Sequence, residues 1–472
     1  MAGSGARTTI KGAGALCAAA LVLPGVAGAH GLVQRADLPI PEWLFGWAAA
    51  IVLIVSFVAL AVLWPSPRLE KHDWRPMPGG RALGSRPVEI LCGAIGVGLL
   101  ALVLWSGLAG AEGPQDNFAP TFVLIIFWVG LVFASVLFGD VFRAFNPWRA
   151  IGRLIEGATK RTPREYPVRL GRWPAAVGLF VFVWIEIASG WGEQPRNLAI
   201  ATLVYTVLTL LAQLVYGTKN WTRYGEAFSV YFNFFSRLSV FETRDRVVGL
   251  RPLLAGLTRL ETVPGTVAVV CVMIGTVTYD GLSAGNLWRQ NLGLWINDGL
   301  TATGLSIDAA TKLTATAGLL LGVLLVAGFY ALGIAGARSV GGGMNAERLR
   351  HGFVHSLVPI AMVYAMAHYL TFLVFQGQAI SYLASDPLGR NWDIFGTAGA
   401  AIDYSVLSQN LTWYLQVGFV VLGHVAALVL AHDRALVLYG QPKQAVRSQY
   451  WMLGIMVGFT TLALWLLAQA NA

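Results

Sequence analysis

The chain has 472 residues, of which 56% are hydrophobic and only 12% charged. A soluble domain carries about twice that charged fraction, and a mean hydropathy of +0.62 over this length means repeated apolar stretches. A water-soluble enzyme, a disordered chain and a disulfide scaffold are thereby excluded. The formal charge of +9, from 33 basic and 24 acidic residues, would suit nucleic acid if read alone. The placement of those residues gives it another meaning.

Residues 1–29 read as a cleaved secretory signal peptide. Arg7 and Lys11 form its basic region, Ala13 to Val26 a short apolar core, and Ala27-Gly28-Ala29 the small-x-small cleavage pattern. Cleavage after Ala29 leaves His30 as the first mature residue. Cys17 departs with the signal, and Leu16 before it is not the small residue that lipid attachment wants. Cys92 and Cys271 remain, two isolated thiols in apolar segments and no disulfide framework.

Residues 30–472 read as a single polytopic domain with ten apolar segments, each near the ~20 residues that a membrane-spanning helix needs. They run over about 43–64, 88–109, 120–142, 174–191, 197–217, 263–281, 312–336, 352–377, 410–431 and 449–469. Helix is the expected state, because lipid cannot satisfy free backbone groups. The fold class is therefore an all-α integral membrane bundle.

The basic residues supply an independent orientation. Loops after the first, third, fifth, seventh and ninth spans hold 26 of them; the alternate side holds Arg35, Arg196, Arg289, Lys312 and Arg390. This asymmetry places the basic loops inside and the mature N-terminus outside, and it accounts for the positive charge without nucleic acid. The 218–262 loop carries an aromatic stripe at helical spacing (Trp221, Tyr224, Phe228, Tyr231, Phe235 and Leu238), with Arg223, Glu226, Asn233 and Arg237 elsewhere on its surface. Such a helix either lies along the inner membrane surface or packs under the bundle. On the outer side, Trp288, Leu292 and Trp295 suggest a short capping helix.

Ionisable residues inside spans are costly and mark candidate function. Toward the outer side lie Glu186, about 18 Å up the fourth span at ~1.5 Å per residue; Tyr279-Asp280-Gly281 at the end of the sixth; and His368 in the eighth, with Tyr364 one turn below it. His30, a dozen residues from the first span, can fold back over the same mouth. Two carboxylates, two imidazoles and a terminal amine can hold copper or zinc. A proton relay is the competing reading, and a helix-packing hydrogen bond the structural alternative for each residue. Toward the inner side, His351 and His355 begin a helix, and Asp140 is spaced to pair with Arg143 ahead of Asn146-Pro147-Trp148. His355 and His368 are about 140° and ~20 Å apart on a helix, so they cannot share one ion. Walker A, dinucleotide, CxxC and CxxCH patterns do not occur.

The stretch HGLVQRADLPIPEWLFGWAAAIVLIVSFVALAVLW (30–64), with GDVFRAFNPWRA (139–150), TYDGLS (278–283) and HSLVPIAMVYAMAHYLTFLVFQGQ (355–378), resembles polytopic bacterial inner-membrane proteins labelled fenitrothion hydrolase. None of these segments is a catalytic signature, so no active-site residue is carried over. The resemblance implies a plasma-membrane protein that cleaves an apolar organophosphate triester, with a second membrane subunit as partner. For such chemistry a metal on His30, His368, Glu186 and Asp280 would activate water and polarise the phosphoryl oxygen. A free carboxylate would take the proton, and Tyr279 or Tyr364 would donate to the oxyanion. The rival class is a proton-coupled secondary transporter, or a membrane-complex subunit, using Glu186 and His368.

Overall fold

The computed structural model describes residues 42–70, 73–159, 162–341 and 344–471. The expected signal peptide and His30 lie outside the described residues. The chain is a bundle of apolar helices embedded in a membrane: among the described residues eight are long and apolar enough to cross one, nine if one bent pair is counted as a span. They are α1 (Glu42–Leu63), α2 (Arg86–Ala109), α3 (Phe118–Phe138), α6 (Pro195–Tyr216), α8 (Thr266–Ala284), α10 (Ile307–Ser339), α13 (Gln409–Tyr439) and a last span that ends in α14 (Tyr450–Asn471). The bent pair is α11 (Ala346–His368) and α12 (Leu370–Ser385), which meet at 55°.

Three of the ten expected spans depart from simple α-helices; the third, α3, is π-helical over Thr121–Gly130. The fourth is α5 (Trp173–Ala188), eleven α-helical residues followed by a five-residue π-turn, short of the ~20 residues of a straight crossing. The eighth is broken between α11 and α12 rather than continuous.

Shorter helices lie between the spans. α4 (Pro147–Thr159) and α7 (Ala227–Ser236) close the end that carries the basic loops, and α9 (Gly293–Ala302) lies at the other. A small antiparallel sheet, in order β1 (Arg75–Pro76), β3 (Val247–Leu250), β2 (Phe241–Arg244), ties two basic loops together with Arg75 opposite Leu250. Other basic loops join the same end. Arg149 pairs with Glu89 at 2.6 Å and Arg434 with Glu70 at 3.0 Å, and Tyr439 O–H donates to the Ala337 carbonyl at 2.7 Å. At the opposite end, Ala111 N–H donates to Leu388 O at 2.9 Å and Trp184 Nε1–H to Thr316 Oγ1 at 2.8 Å. The alternation of charge along the sequence thus corresponds to two ends of one bundle.

α8 is the most enclosed of these spans and packs against α5, α10, α11 and α14. Its approach to α10 depends on missing side chains: a Cβ on Gly322 would lie 2.3 Å from the Gly275 carbonyl oxygen. Small residues at such crossings let backbones approach, which substitutes for the weak hydrophobic drive between helices in lipid.

The aromatic stripe of 221–238 is not one surface helix. The backbone turns extended at Glu226, whose carboxylate caps α7 by accepting from Phe228 N–H at 2.9 Å and Ser229 N–H at 2.8 Å. α7 packs into the bundle against α3 and α5 with Phe232, Phe234 and Phe235 fully enclosed, so the packing alternative holds. Asp140 does not form the expected ion pair with the Arg143 side chain. It accepts from Arg143 N–H at 3.3 Å and from Asn233 Nδ2–H at 2.9 Å, a helix cap joined to α7.

Candidate functional site

Asp280 lies near the end of α8, 5% exposed. Its Oδ2 stands 2.9 Å from His368 Nε2 and accepts the Tyr369 O–H at 2.8 Å. Successive residues on a helix project about 100° apart, so a straight helix would aim His368 and Tyr369 at different neighbours. The break between α11 and α12 falls at Tyr369, and both side chains reach one carboxylate oxygen. Their rings sit 4.6 Å apart at 77°.

Glu186 joins from α5. It lies in the π-turn Trp184–Ala188, is 5% exposed, and its Oε2 is buried with no hydrogen-bond partner among the described residues. Asp280 interacts with it electrostatically, as do Tyr369 and Tyr231 of α7. π-Turns commonly coincide with functional positions; this one carries the unpartnered carboxyl oxygen.

Beside His368 is a cavity of about 30 Å³ lined by Thr278, Gly281, Tyr364, Ala367, His368, Val420 and Leu466, among others. That is room for a water molecule or two. A Cβ on Gly281 would stand 3.9 Å from His368 Nδ1, so the missing side chain leaves space at that nitrogen. With its proton on Nε2 toward Asp280, the ring presents Nδ1 as an acceptor on this side.

Of the expected site residues, Asp280 and His368 are in contact, and Glu186 lies within electrostatic reach of Asp280. Tyr279 does not join them. Its ring packs edge-on to Trp288 at 5.1 Å, in a space that exists because residue 318 is glycine. Trp288 is buried there as an outer cap, whereas Trp295 is 74% exposed. Tyr364 lines the water-sized cavity but spends its O–H on the Phe459 carbonyl at 3.2 Å. His30, the remaining expected ligand, lies outside the described residues.

For a copper or zinc ion the fit is poor in this arrangement. Among the described residues no three His, Cys, Asp or Glu side chains are grouped to hold a metal. His368 Nε2 and Asp280 Oδ2 face each other at hydrogen-bond distance rather than a common point.

Tyr369 escaped sequence reading because helical periodicity turns it away from His368. Another carboxylate, Glu226, which the sequence suggests for a polar helix surface, is fully enclosed. Besides its two backbone donors it accepts from Asn146 Nδ2–H at 3.2 Å and from the Tyr205 hydroxyl. A lone glutamate ahead of an aromatic run was the available signal.

Compared with protein-family models, curated proteins and solved structures, the chain matches none of them.

Proposed function

We propose that this chain is a proton-coupled membrane carrier and that the Glu186–Asp280–His368–Tyr369 cluster carries the coupling proton. The supporting observation is the pair of enclosed carboxylates, one with an unpartnered oxygen, linked to an imidazole that borders a water-sized cavity. Uncompensated charge inside a membrane is costly. A proton shared among these groups limits it, and imidazole can accept on one nitrogen while donating from the other. A helix broken at the site is a recurring feature of carriers, whose gating moves one half of a bundle against the other.

By the positive-inside rule the basic end faces the cytoplasm of a bacterial plasma membrane. Asp280 lies fourteen residues along α8 from Thr266, about 21 Å from the basic end. The cluster then opens toward the outer side, where the mature N-terminus beginning at His30 would also lie.

The test is proton uptake into vesicles that hold a trapped pH dye, driven by a potassium diffusion potential. Glu186→Gln and Asp280→Asn are expected to lower the rate about tenfold or more, equivalent to ~1.4 kcal/mol in the barrier. Tyr279→Phe, outside the cluster, leaves it unchanged. Wild-type rates in both carboxylate variants would sink the proposal.

A hydrolytic reading keeps one specific observation in its favour. His368, oriented by Asp280 beside a water-sized cavity, is a general base with its orienting partner. The cavity is far smaller than the roughly 300 Å³ of an ordinary ligand pocket, so an organophosphate triester needs the site to open, whereas water and protons do not. A phosphotriester assay on the same preparation separates the readings. Hydrolysis that falls about 10²–10⁴-fold in His368→Gln, and survives Glu186→Gln, would favour the enzyme and a second membrane subunit would then be sought.

A further inference from the structure

On the other side of α5 from the carboxylate cluster is a much larger cavity, of about 1060 Å³, bounded by α2, α3, α5 and α6. Small-molecule sites occupy roughly 300–1,000 Å³, so this space suits a long apolar ligand. Val177, Val181, Val204 and Leu208 line it and are exposed, which leaves the α5–α6 side open laterally to lipid. At its basic end an aromatic floor is satisfied internally: Trp148 Nε1–H donates to Thr206 Oγ1 at 2.9 Å and Tyr205 to Glu226. That floor asks nothing polar of an occupant.

Two observations at the same end give the occupant a head group. Trp221 lines the cavity, and its indole N–H is buried without a hydrogen-bond partner among the described residues. Arg169 precedes the lining residue Leu170 in the chain and Lys219 stands two residues before the lining residue Trp221; both are exposed and without an ion pair among the described residues. An unpartnered donor and two free cations at the end of an apolar space complement an anionic head above acyl chains. We infer that the cavity binds an anionic diacyl lipid, which enters from the bilayer between α5 and α6.

The inference names a cargo class for the carrier reading and rests on it only for movement of the lipid, not for binding. Glu186 and the lining residue Ile185 are consecutive on the π-turn of α5. A shift of that turn therefore moves the cavity wall and the coupling carboxylate together.

The experiment is photolabelling of the full chain in vesicles with a diazirine-bearing phosphatidylglycerol, mapped by mass spectrometry with no gradient imposed. Adducts are expected to concentrate on 122–131, 177–185 and 201–212. Ala201→Trp, which fills the cavity from α6, should cut them by about tenfold, the change that ~1.4 kcal/mol of lost affinity gives. Leu422→Trp, on a lipid-facing surface of α13, should not. Should Ala201→Trp fail to fold, Val123→Trp makes the same test from α3. A phosphatidylcholine probe should label about tenfold less, and a double Arg169→Ser, Lys219→Ser variant should erase that preference, in keeping with juxtamembrane cations near anionic lipid. Even labelling over all lipid-facing helices, or labelling indifferent to both tryptophans, would overturn the inference. Focused labelling without proton uptake would overturn the carrier reading alone; proton uptake with diffuse labelling would overturn the lipid inference alone.

Discussion

At the scale of single residues, the cluster rests on which hydroxyl points where. Tyr369 and Tyr364 are both buried on the broken α11–α12 span, but Tyr369 donates to Asp280 Oδ2 at 2.8 Å and Tyr364 to a backbone carbonyl at 3.2 Å. Removing either hydroxyl costs a hydrogen bond, about 1–3 kcal/mol where the acceptor is left buried. The consequences for function differ. Tyr369→Phe changes what Asp280 can hold and should displace the pH profile of proton uptake as well as lower the melting temperature. Tyr364→Phe should lower the melting temperature and leave the profile in place. Equal profiles in the two variants would remove Tyr369 from the site and leave it a packing residue.

At the scale of elements, the crossing of α8 and α10 decides where Asp280 stands. Gly322 faces the Gly275 carbonyl so closely that an added methyl must separate the helices. Gly322→Ala is expected to cost about 1–3 kcal/mol, as overpacking does, and to reduce proton uptake by displacing α8. Gly328→Ala, on the same helix with open space around it, should stabilise by up to ~1 kcal/mol through helix propensity. Thermal unfolding in detergent checks both. This level also shows what the sequence could convey. Hydropathy located the spans, because burial in lipid demands long apolar runs, and depth along them brought Glu186, Asp280 and His368 to one level. It did not reveal the break at Tyr369, since no proline or glycine separates His368 from Leu370 and the apolar run is unbroken. The π-turn at Glu186 and the extended residue at Glu226 are equally silent in composition. They arise from tertiary neighbours, which also set the order of helices around the bundle.

At the scale of the whole molecule, the basic residues do more than orient the chain. They hold the loops of one end to each other through a few carboxylates, and these give the assembly a pH dependence with a definite sign. Burial alone would raise the Glu242 carboxyl, but the hydrogen bond from Arg244 and the nearby Arg251 outweigh it and hold the group below its usual range. Glu261 is likewise held low against burial by Arg223, with Tyr224 adding a hydrogen bond. An acid held low in the fold contributes stability that is complete above its unfolded pKa and lost as the pH falls through the folded value. Glu70 has the opposite sign. Burial raises it despite Arg434, so acidification relieves a cost there. The Arg223–Glu261 pair is largely exposed, at 55% and 37%, and solvent screening leaves it a small share. Glu242 is 22% exposed and faces two guanidinium groups beside the β2–β3 hairpin, so it carries the larger share of these two. The melting temperature should therefore fall as the pH is lowered through and below the ordinary carboxylate range, and Glu242→Gln should flatten that fall. Glu70→Gln should raise the plateau at neutral pH instead. A melting temperature that falls equally with acid in wild type and Glu242→Gln would place the acid-sensitive contact elsewhere, away from the sheet that joins the basic loops.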